Sequence, residues 1–338
     1  MATKVFLTGG TGFVGGSVLS RLLKTGKYTI SALVRSQEKG EQLRKLGVTP
    51  ILGTLEDADI ITQQAYEADL VVEVASSDHM GEAKAIVAGL EKRFKETGRK
   101  GKYLQTSGTG ILTTSGDGNT EEQHVYSDDN SDELNAIPTT HPHRDIDSFI
   151  IDNAGTTYDL VIMAPPLIYG TGSGPEGISN RHSIQIPTLI RGALRSGQVH
   201  RMGKGLNRWS NVHIDDLVEL YALIVEKFVA GNLKHVNRDG YYFAVTGEHQ
   251  WGHVAQLVAD TLVKLGAIKS NEVVETPDDD DAVAAAFGVI RAKYDIGTNS
   301  RCVSPKSLSL GWKPKHGADD VYADIKKECE LLAKAAKS

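Results

Sequence analysis

Short apolar segments alternate with amphipathic segments along the first half of the chain. Runs of apolar residues predict strands at 5–8, 28–34, 49–52, 69–75, 102–106 and 159–164. Between them, apolar residues at helical spacing predict helices at 14–23, 41–46, 57–68 and 82–97. Strands that alternate with helices form a parallel sheet covered on both faces, so the pattern predicts an α/β fold with a doubly wound parallel sheet.

Two stretches interrupt this alternation. Residues 108–142 form a long, polar and acidic segment, which we interpret either as a mobile surface insertion or as an active-site lid. Beyond Gly170 the alternation weakens, although the pattern still predicts a strand at 240–247 and a helix at 253–266. Residues 277–281, with the sequence PDDDD, are predicted to be a solvated loop.

Composition narrows the class of protein. The 338 residues are 40% hydrophobic and 24% charged, as in ordinary globular proteins, and allow one large domain or two smaller ones. The net charge is −6, and without a basic stripe or a polybasic segment it argues against nucleic acid and membrane partners. The two cysteines, Cys302 and Cys329, provide no disulfide framework and are interpreted as core or surface residues.

The start of the chain leads us to expect a cytoplasmic protein. The first strand pattern begins by Lys4, which leaves no room for a signal or transit peptide. The sequence also contains no apolar run of the length that spans a membrane.

The glycines of TGGTGFVGG, residues 8–16, lie between the first strand and the first helix. Gly9 allows a tight turn, Gly12 allows a pyrophosphate to approach the backbone, and Gly15 allows the helix to pack against the strand. Amides at the helix N-terminus would face the phosphates, where the helix dipole favours negative charge. The strand–turn–helix context favours a dinucleotide site over a purely structural turn.

The residue after the second strand selects between the two nicotinamide cofactors. An acidic residue there binds the ribose 2′-hydroxyl of NAD, whereas an arginine suits the 2′-phosphate of NADP. Arg35 occupies this position in ALVRSQEK, and no carboxylate precedes Glu38. The sequence therefore favours NADP (NADPH), with a solvated surface arginine as the alternative interpretation.

These motifs and several others resemble the extended and atypical branches of the short-chain dehydrogenase/reductase superfamily, the epimerase/dehydratase-like proteins, with isoflavone-reductase-like and NmrA-like features. The segments that carry the resemblance are TGGTGFVGG, ALVRS, GTLED (53–57), YLQTSGTG (103–110), PPLIYG (165–170), NVHIDDL (211–217) and LGWKP (310–314). The resemblance implies a Rossmann NADP-binding domain at 1–170, to which 211–245 return. It also implies a smaller C-terminal α/β substrate lobe made of 171–210 and 246–338.

The resemblance further implies which residues hold the cofactor. They are Gly9, Thr11, Gly12, Phe13 and Val14 at the pyrophosphate, Arg35 at the adenosine ribose phosphate, Leu55 at the adenine, Ala75 and Ser76 at the ribose, and Pro165 and Leu167 at the nicotinamide. Thr54 stands where the family often has an Asp beside the adenine.

The catalytic residues depart from the family pattern. Reductases of this superfamily carry Tyr-x-x-x-Lys on the helix after the fifth strand, where the tyrosine transfers a proton and the lysine lowers its pKa. Residues 107–165 contain no such pair, and the corresponding helix reads HPHRDIDSFIIDNAG. The usual catalytic serine is replaced by Gly108, flanked by Ser107 and Thr109, either of which can hydrogen-bond a substrate oxygen.

Two residues of that helix are candidates for the position of the family's lysine. When the helix is matched to the family's pattern, one placement of gaps puts Arg144 at the lysine position and another puts Asp147 there. We favour Arg144, because a permanent cation can hold ribose hydroxyls and polarise an oxygen. His143 is the candidate proton donor, since imidazole exchanges a proton near neutral pH. The predicted catalytic set is therefore Ser107, His143 and Arg144, with a helix-cap histidine and a solvated arginine as the alternatives.

Two aromatic residues are candidate substrate contacts. The resemblance places Tyr169 near the nicotinamide, and Trp209 can pack on a flat or apolar substrate; a packing role is the alternative for both. The histidine pairs His249–His253 and His141–His143 lack a third ligand, so no metal is expected.

The resemblance leads us to expect an NADP(H)-dependent oxidoreductase that acts on the carbonyl of a small organic molecule. Two alternatives stay open. One is an epimerase, dehydratase or isomerase that uses its cofactor transiently, and the other is a non-catalytic NADP sensor. The expected partner is a small-molecule substrate, and the sequence leaves a homodimer open.

Overall fold

A seven-stranded parallel sheet organises the larger part of the computed structural model, which describes residues 2–114 and 116–337. The strands found there are β1 (Thr3–Leu7), β2 (Tyr28–Val34), β3 (Thr49–Leu52), β4 (Leu70–Glu73), β5 (Gly101–Thr106), β6 (Tyr126–Ser127), β7 (Tyr158–Ala164), β8 (Leu167–Tyr169), β9 (Val199–Met202), β10 (Arg208–His213), β11 (Tyr241–Phe243), β12 (Gly247–Gln250), β13 (Val273–Thr276) and β14 (Cys302–Val303). The main sheet has the order β11-β7-β5-β4-β1-β2-β3, and its strands all pair in parallel.

Helices on both faces of the main sheet, together with others in the C-terminal part, make thirteen α-helices among the described residues. They are α1 (Phe13–Leu23), α2 (Gln37–Lys45), α3 (Ala58–Glu67), α4 (Met80–Thr97), α5 (Ser131–Ala136), α6 (Arg144–Asn153), α7 (Gln185–Ser196), α8 (Ile214–Val229), α9 (Trp251–Lys264), α10 (Asp280–Phe287), α11 (Ala292–Gly297), α12 (Pro305–Ser309) and α13 (Asp320–Ala335), among the described residues. The doubly wound Rossmann-type α/β fold predicted from the alternation of strands and helices is confirmed.

The alternation of side chains along β1 shows how the sequence fills both layers. Val5 and Leu7 enter one buried cluster with residues of α1 and α8. Phe6, which points to the opposite face, enters a second cluster with residues of α3, α4 and α6. Because β1 lies between β4 and β2, its side chains are buried on both faces, which explains the continuous apolar run at this strand.

The order of the strands creates a crevice at the carboxyl ends of β1 and β4. From β1 the chain proceeds outward to β2 and β3, and then returns to place β4 on the other side of β1. The loops that follow β1 and β4 therefore diverge at this point, and such a switch point is where open α/β sheets bind their ligands.

The C-terminal part of the chain builds a second, smaller group of elements. β8, β10 and β12 form a three-stranded sheet and β9 pairs with β13, while α7, α9 and α13 surround a separate buried cluster that includes Trp251. The segment expected to return to the Rossmann domain supplies α8, which packs against α1, and β11, which pairs with β7.

The described residues of the long acidic segment 108–142 are tied to the C-terminal lobe. β6 pairs with β14, and the Asn299 side chain donates a hydrogen bond to the Thr120 carbonyl at 2.8 Å. These contacts join the described part of the segment to the C-terminal lobe, and the two interpretations, a surface insertion and an active-site lid, stay predictions. The predicted loop at 277–281 is wrong at its end, because the Asp279 carboxylate accepts from the Ala282 amide and caps α10.

Both cysteines, Cys302 and Cys329, are buried and unpaired. Burial raises the pKa of each thiol to about 12, so neither is an activated nucleophile. Over residues 2–114 and 116–337, no helix combines the length and apolarity that a bilayer crossing requires, and no group of three metal-binding side chains occurs.

Candidate functional site

A cleft of about 660 Å³ opens at the carboxyl ends of β1, β4 and β5 and continues into the C-terminal lobe. The sequence-predicted residues that line it are Gly12, Phe13, Val14, Ala75, Ser76, Ser107, His143, Pro165 and Trp209. Those that lie outside its lining are Gly9, Thr11, Arg35, Leu55, Arg144, Leu167 and Tyr169. The fold thus brings segments that are distant in the chain to one concave surface.

The glycine loop after β1 has the geometry of a pyrophosphate cradle. Gly9 has a positive φ of 72°, and a Cβ there would lie 2.6 Å from the Val74 carbonyl carbon. A Cβ on Gly15 would lie 2.2 Å from the Gly9 oxygen, whereas a Cβ on Gly12 would be 3.1 Å from the same atom, on the cleft side. No side chain caps α1, whose first-turn amides have no acceptor within the helix, so the loop fits a dinucleotide phosphate.

A loop of the C-terminal lobe supports the glycine loop from behind. The Asn180 amide donates to the Thr11 carbonyl at 3.0 Å, and the Ser173 amide donates to the Ser17 hydroxyl at 3.0 Å. A Cβ on Gly16 would lie 2.3 Å from the Ser179 hydroxyl. The sequence analysis missed this contact, for which the only signal was the glycine-rich run TGSGPEGISN after Gly170.

Arg35 follows β2 directly and is exposed. Within the described ranges, no hydrogen bond or ion pair engages its guanidinium, which leaves the group available to an anion. The neighbouring Ser36 instead caps α2 by accepting from the Lys39 amide at 3.4 Å. Leu55 is half-buried, and the adjacent Thr54 hydroxyl donates to Asp57 at 2.9 Å.

The loop after β4 is shaped by a buried carboxyl group that the sequence analysis had treated only as part of a strand. One oxygen of Glu73 accepts hydrogen bonds from the amides of Ala75 (2.7 Å) and Ser76 (2.8 Å). Burial and the nearby Glu82 carboxyl raise the pKa of Glu73 above its usual value. Glu73 therefore fixes the backbone of the two residues expected to border the ribose.

His143 lies at the wall of the cleft, at the residue that precedes α6. Its backbone has a positive φ of 66°, and its Nδ1 is 2.5 Å from Asp78 Oδ1. The ring packs against a glycine-rich turn, since a Cβ on Gly110 would lie 2.9 Å from His143 Nε2. Hydrogen bonding with His143 lowers the pKa of Asp78. The sequence analysis missed Asp78, because it reaches His143 from a loop 65 residues earlier.

Asp147 lies one helical turn after His143 and bonds to Ser107. The Ser107 hydroxyl donates to Asp147 Oδ2 at 2.8 Å, and the Tyr241 hydroxyl donates to the same oxygen at 3.0 Å. Burial raises the pKa of Asp147 to about 6. His143-x-x-x-Asp147 thus has the spacing of the family's Tyr-x-x-x-Lys, with both residue types changed.

The structure contradicts the direct role expected of Arg144. Its guanidinium is buried and donates to the carbonyls of Ile137 (3.2 Å) and Asn135 (3.3 Å) and to the Tyr241 hydroxyl (2.7 Å). Arg144 is the first residue of α6 and, like Asp147 one turn later, bonds to the Tyr241 hydroxyl, so its side chain lies on the buried side of the helix and not in the cleft. Arg144 holds the preceding loop and Tyr241, and of the two sequence alternatives for the lysine position Asp147 is the one that bonds to Ser107.

The alternation of side chains along β8 differs from two further predictions. Leu167 and Tyr169 both point into the buried core of the C-terminal lobe, whereas Ile168 between them lines the cleft. The Tyr169 ring packs edge-on against His213 with centroids 5.2 Å apart. The packing alternative therefore describes Tyr169, and Ile168 replaces Leu167 as the apolar residue beside Pro165.

Trp209 lies at the floor of the cleft on β10. Its indole N–H donates to the Thr298 carbonyl at 2.8 Å. Trp209 is only 5% exposed and packs in the buried cluster of the C-terminal lobe, so a packing role accounts for most of its surface. Since its N–H is already bonded, the small part that reaches the cleft offers a ligand an apolar ring.

Comparison with known proteins agrees with this geometry. Residues 9–130 match the family described as NAD(P)H-binding, and residues 150–237 match the NAD dependent epimerase/dehydratase family. The chain is 28% identical to oxidase ucsJ of an Acremonium species over 98% of this chain and 97% of that protein. It is 26% identical to ketoreductase azaE of Aspergillus niger over 50% of this chain and 58% of that protein.

Among solved structures, the chain is similar to UDP-glucose 4-epimerase of Thermotoga maritima, determined with UDP-glucose. The TM-score is 0.65 and the identity 17%, with 98% of this chain and 99% of the other covered. At this identity the likeness concerns the fold. Together with the two family matches, it identifies an NAD(P)-binding Rossmann domain whose relatives include oxidoreductases.

Proposed function

We propose that this chain is a member of the extended short-chain dehydrogenase/reductase superfamily and an NADP(H)-dependent oxidoreductase, which the two family matches support. In this proposal it reduces the carbonyl of a small organic molecule or oxidises the corresponding alcohol. The observation that carries the proposal is the contact between His143 and Asp78 at the wall of the cleft, next to the segment Ser107–Gly108 that stands at the family's serine position.

The preference for NADP rests on Arg35. A guanidinium at the end of β2, with no competing carboxylate bonded to it, suits the 2′-phosphate of the adenosine ribose. Gly9, Gly12 and Gly15 let the pyrophosphate approach the first turn of α1, and Ala75 and Ser76 are held in place by Glu73.

When bound, the nicotinamide cofactor supplies or accepts the hydride. The chain's own contribution is the proton. Asp78 holds Nδ1 of His143 by a hydrogen bond and so orients the ring, with Nε2 beside the turn of Gly108 and Gly110, where the proposal places the carbonyl oxygen. In the reductive direction, the protonated imidazole gives its Nε2 proton to the carbonyl oxygen as the alcohol forms. In the oxidative direction, Nε2 takes the same proton back from the hydroxyl group.

Ser107 plays a secondary part in this proposal. Its hydroxyl hydrogen is directed to Asp147 at 2.8 Å, so the Ser107 oxygen meets a ligand as an acceptor. The bond therefore orients Ser107 to receive a hydroxyl group of the substrate or of the ribose. Tyr241 and Arg144 hold Asp147 and thereby act as positioning residues.

The experiment that tests the proposal measures NADPH consumption and alcohol formation with a panel of aldehydes and ketones. We expect one alcohol formed for each NADPH consumed. If the substrate changes while NADPH is retained, the epimerase, dehydratase or isomerase alternative replaces the proposal. If NADPH binds and no carbonyl is converted, the non-catalytic sensor replaces it.

A further inference from the structure

The part of the cleft beyond His143 is walled by large apolar side chains. Ile184 and Tyr294 line it, yet they are 69% and 53% exposed. They approach from different elements, since Ile184 precedes α7 and Tyr294 belongs to α11. Trp209 adds its ring at the floor. Apolar side chains left exposed in a concave site mark a surface that a ligand covers.

The charges in the part of the cleft beyond His143, away from the glycine loop, do not suit a second anionic ligand. Arg291 lines the cleft, and its Nε lies 3.3 Å from the Asp295 carboxylate. His143 is engaged by Asp78, whose carboxylate also faces the cleft. The lining thus carries two carboxylates and one arginine, and a diphosphate placed here would meet more like charge than opposite charge.

Two arginines close to Trp209 are occupied by carboxylates. Arg208 contacts Glu121 at 2.6 Å and Glu248 at 3.4 Å. Arg301 contacts Glu248 at 2.6 Å and also donates to a backbone carbonyl. Neither arginine lines the cleft, so neither offers a cation to a substrate phosphate there.

We infer that the substrate of this site is an uncharged carbonyl compound whose non-reacting part is apolar, an aromatic ring system or a hydrocarbon chain. The carbonyl would lie beside His143, and the apolar part would be enclosed by Ile184, Tyr294 and Trp209. That the substrate is a carbonyl compound rests on the proposed function. That it is uncharged and largely apolar rests on the residues that line the cleft. It separates the chain from its structural relative that was solved with UDP-glucose.

The test measures equilibrium binding of 1-naphthol, a neutral and redox-inert probe, to the full chain saturated with NADP⁺. UDP-glucose is titrated in parallel. The variants are Ile184→Ser and Tyr294→Ser, and the matched control is Leu331→Ser, an exposed apolar residue of α13 outside the cleft. Since all three side chains are at least 46% exposed, the substitutions leave the core intact.

We expect 1-naphthol to bind more tightly than UDP-glucose. Each cleft variant should weaken 1-naphthol binding about five- to tenfold, as expected for the loss of one apolar contact surface, and Leu331→Ser should leave it unchanged. Tighter binding of UDP-glucose, or equal 1-naphthol affinity in all variants, overturns the inference. Binding as expected without turnover of any carbonyl overturns the proposed function alone, and turnover without the variant effect overturns the inference alone.

Discussion

Replacement of His143 should remove the proton donor and leave the cofactor site intact. The His143 ring contacts Asp78 and the glycine turn at Gly110, whereas the pyrophosphate cradle belongs to the loop after β1. The substitution therefore removes a group from one end of the cleft. We expect a large fall in kcat with little change in the Kd of NADPH.

The backbone decides which substitution measures this best. His143 has a φ of 66°, a left-handed conformation that costs an alanine about 1–2 kcal/mol and that asparagine tolerates better. His143→Ala therefore mixes a folding penalty with the loss of the acid, while His143→Asn isolates the second effect. Loss of a positioned acid slows a reaction by about 10²- to 10⁴-fold, which corresponds to about 3–5 kcal/mol of transition-state stabilisation.

The assay combines three measurements on each variant: kcat for a carbonyl substrate, NADPH Kd by fluorescence, and the melting temperature. His182→Asn is the control, because it changes another histidine that lines the same cleft. We expect the control to retain kcat within a few-fold. Full activity in both His143→Asn and His143→Ala would refute the assignment and point to a proton taken from solvent.

Four further outcomes are expected. Arg35→Ala should weaken NADPH about ten- to hundredfold and NADH little, by titration of both cofactors, and equal wild-type affinities would contradict the NADP preference. Gly12→Val should abolish NADPH binding and leave the circular dichroism spectrum unchanged. The φ of −80° at Gly12 suits valine, but the valine side chain would occupy the space expected for the cofactor's pyrophosphate. Arg144→Met should lower the free energy of unfolding by about 2–4 kcal/mol in urea, since it strands three buried acceptors; an unchanged stability would contradict this. Burial raises the pKa of Asp147 to about 6, so the folded state holds an extra proton between about pH 4 and 6 and stability falls as the pH rises through that window. Asp147→Asn should lack this fall, of up to about 3 kcal/mol, and identical pH profiles would contradict it.

Local patterns were enough to predict the fold and the cofactor loop. β2 and β3 have the predicted bounds, Gly9 has the positive φ of a tight turn, and Gly15 has the close backbone approach expected at the start of the helix. The pyrophosphate contact of Gly12 stays a prediction. Both features depend on the nearest residues in the chain, namely the apolar period and the backbone space around a turn. Such determinants can be read directly from sequence.

The catalytic end of the cleft depended on contacts that sequence spacing does not contain. Asp78 and His143 are 65 residues apart, and Ser107 and Asp147 are 40 apart. Only the parallel arrangement of β4 and β5 brings them together. Arg144 was misplaced for a different reason. The comparison of residue types favoured a cation, whereas the Arg144 guanidinium is buried and bonded to backbone carbonyls and to Tyr241.

The most direct measurement follows the hydride itself. The protein is incubated with NADPH that carries deuterium at both C4 positions of the nicotinamide and with a neutral aromatic ketone, and the product is analysed by mass spectrometry and NMR. The account predicts one deuterium on the carbinol carbon for each NADPH consumed, with the rate lost in His143→Asn. A product that lacks deuterium, or a substrate that rearranges while NADPH is conserved, would contradict it.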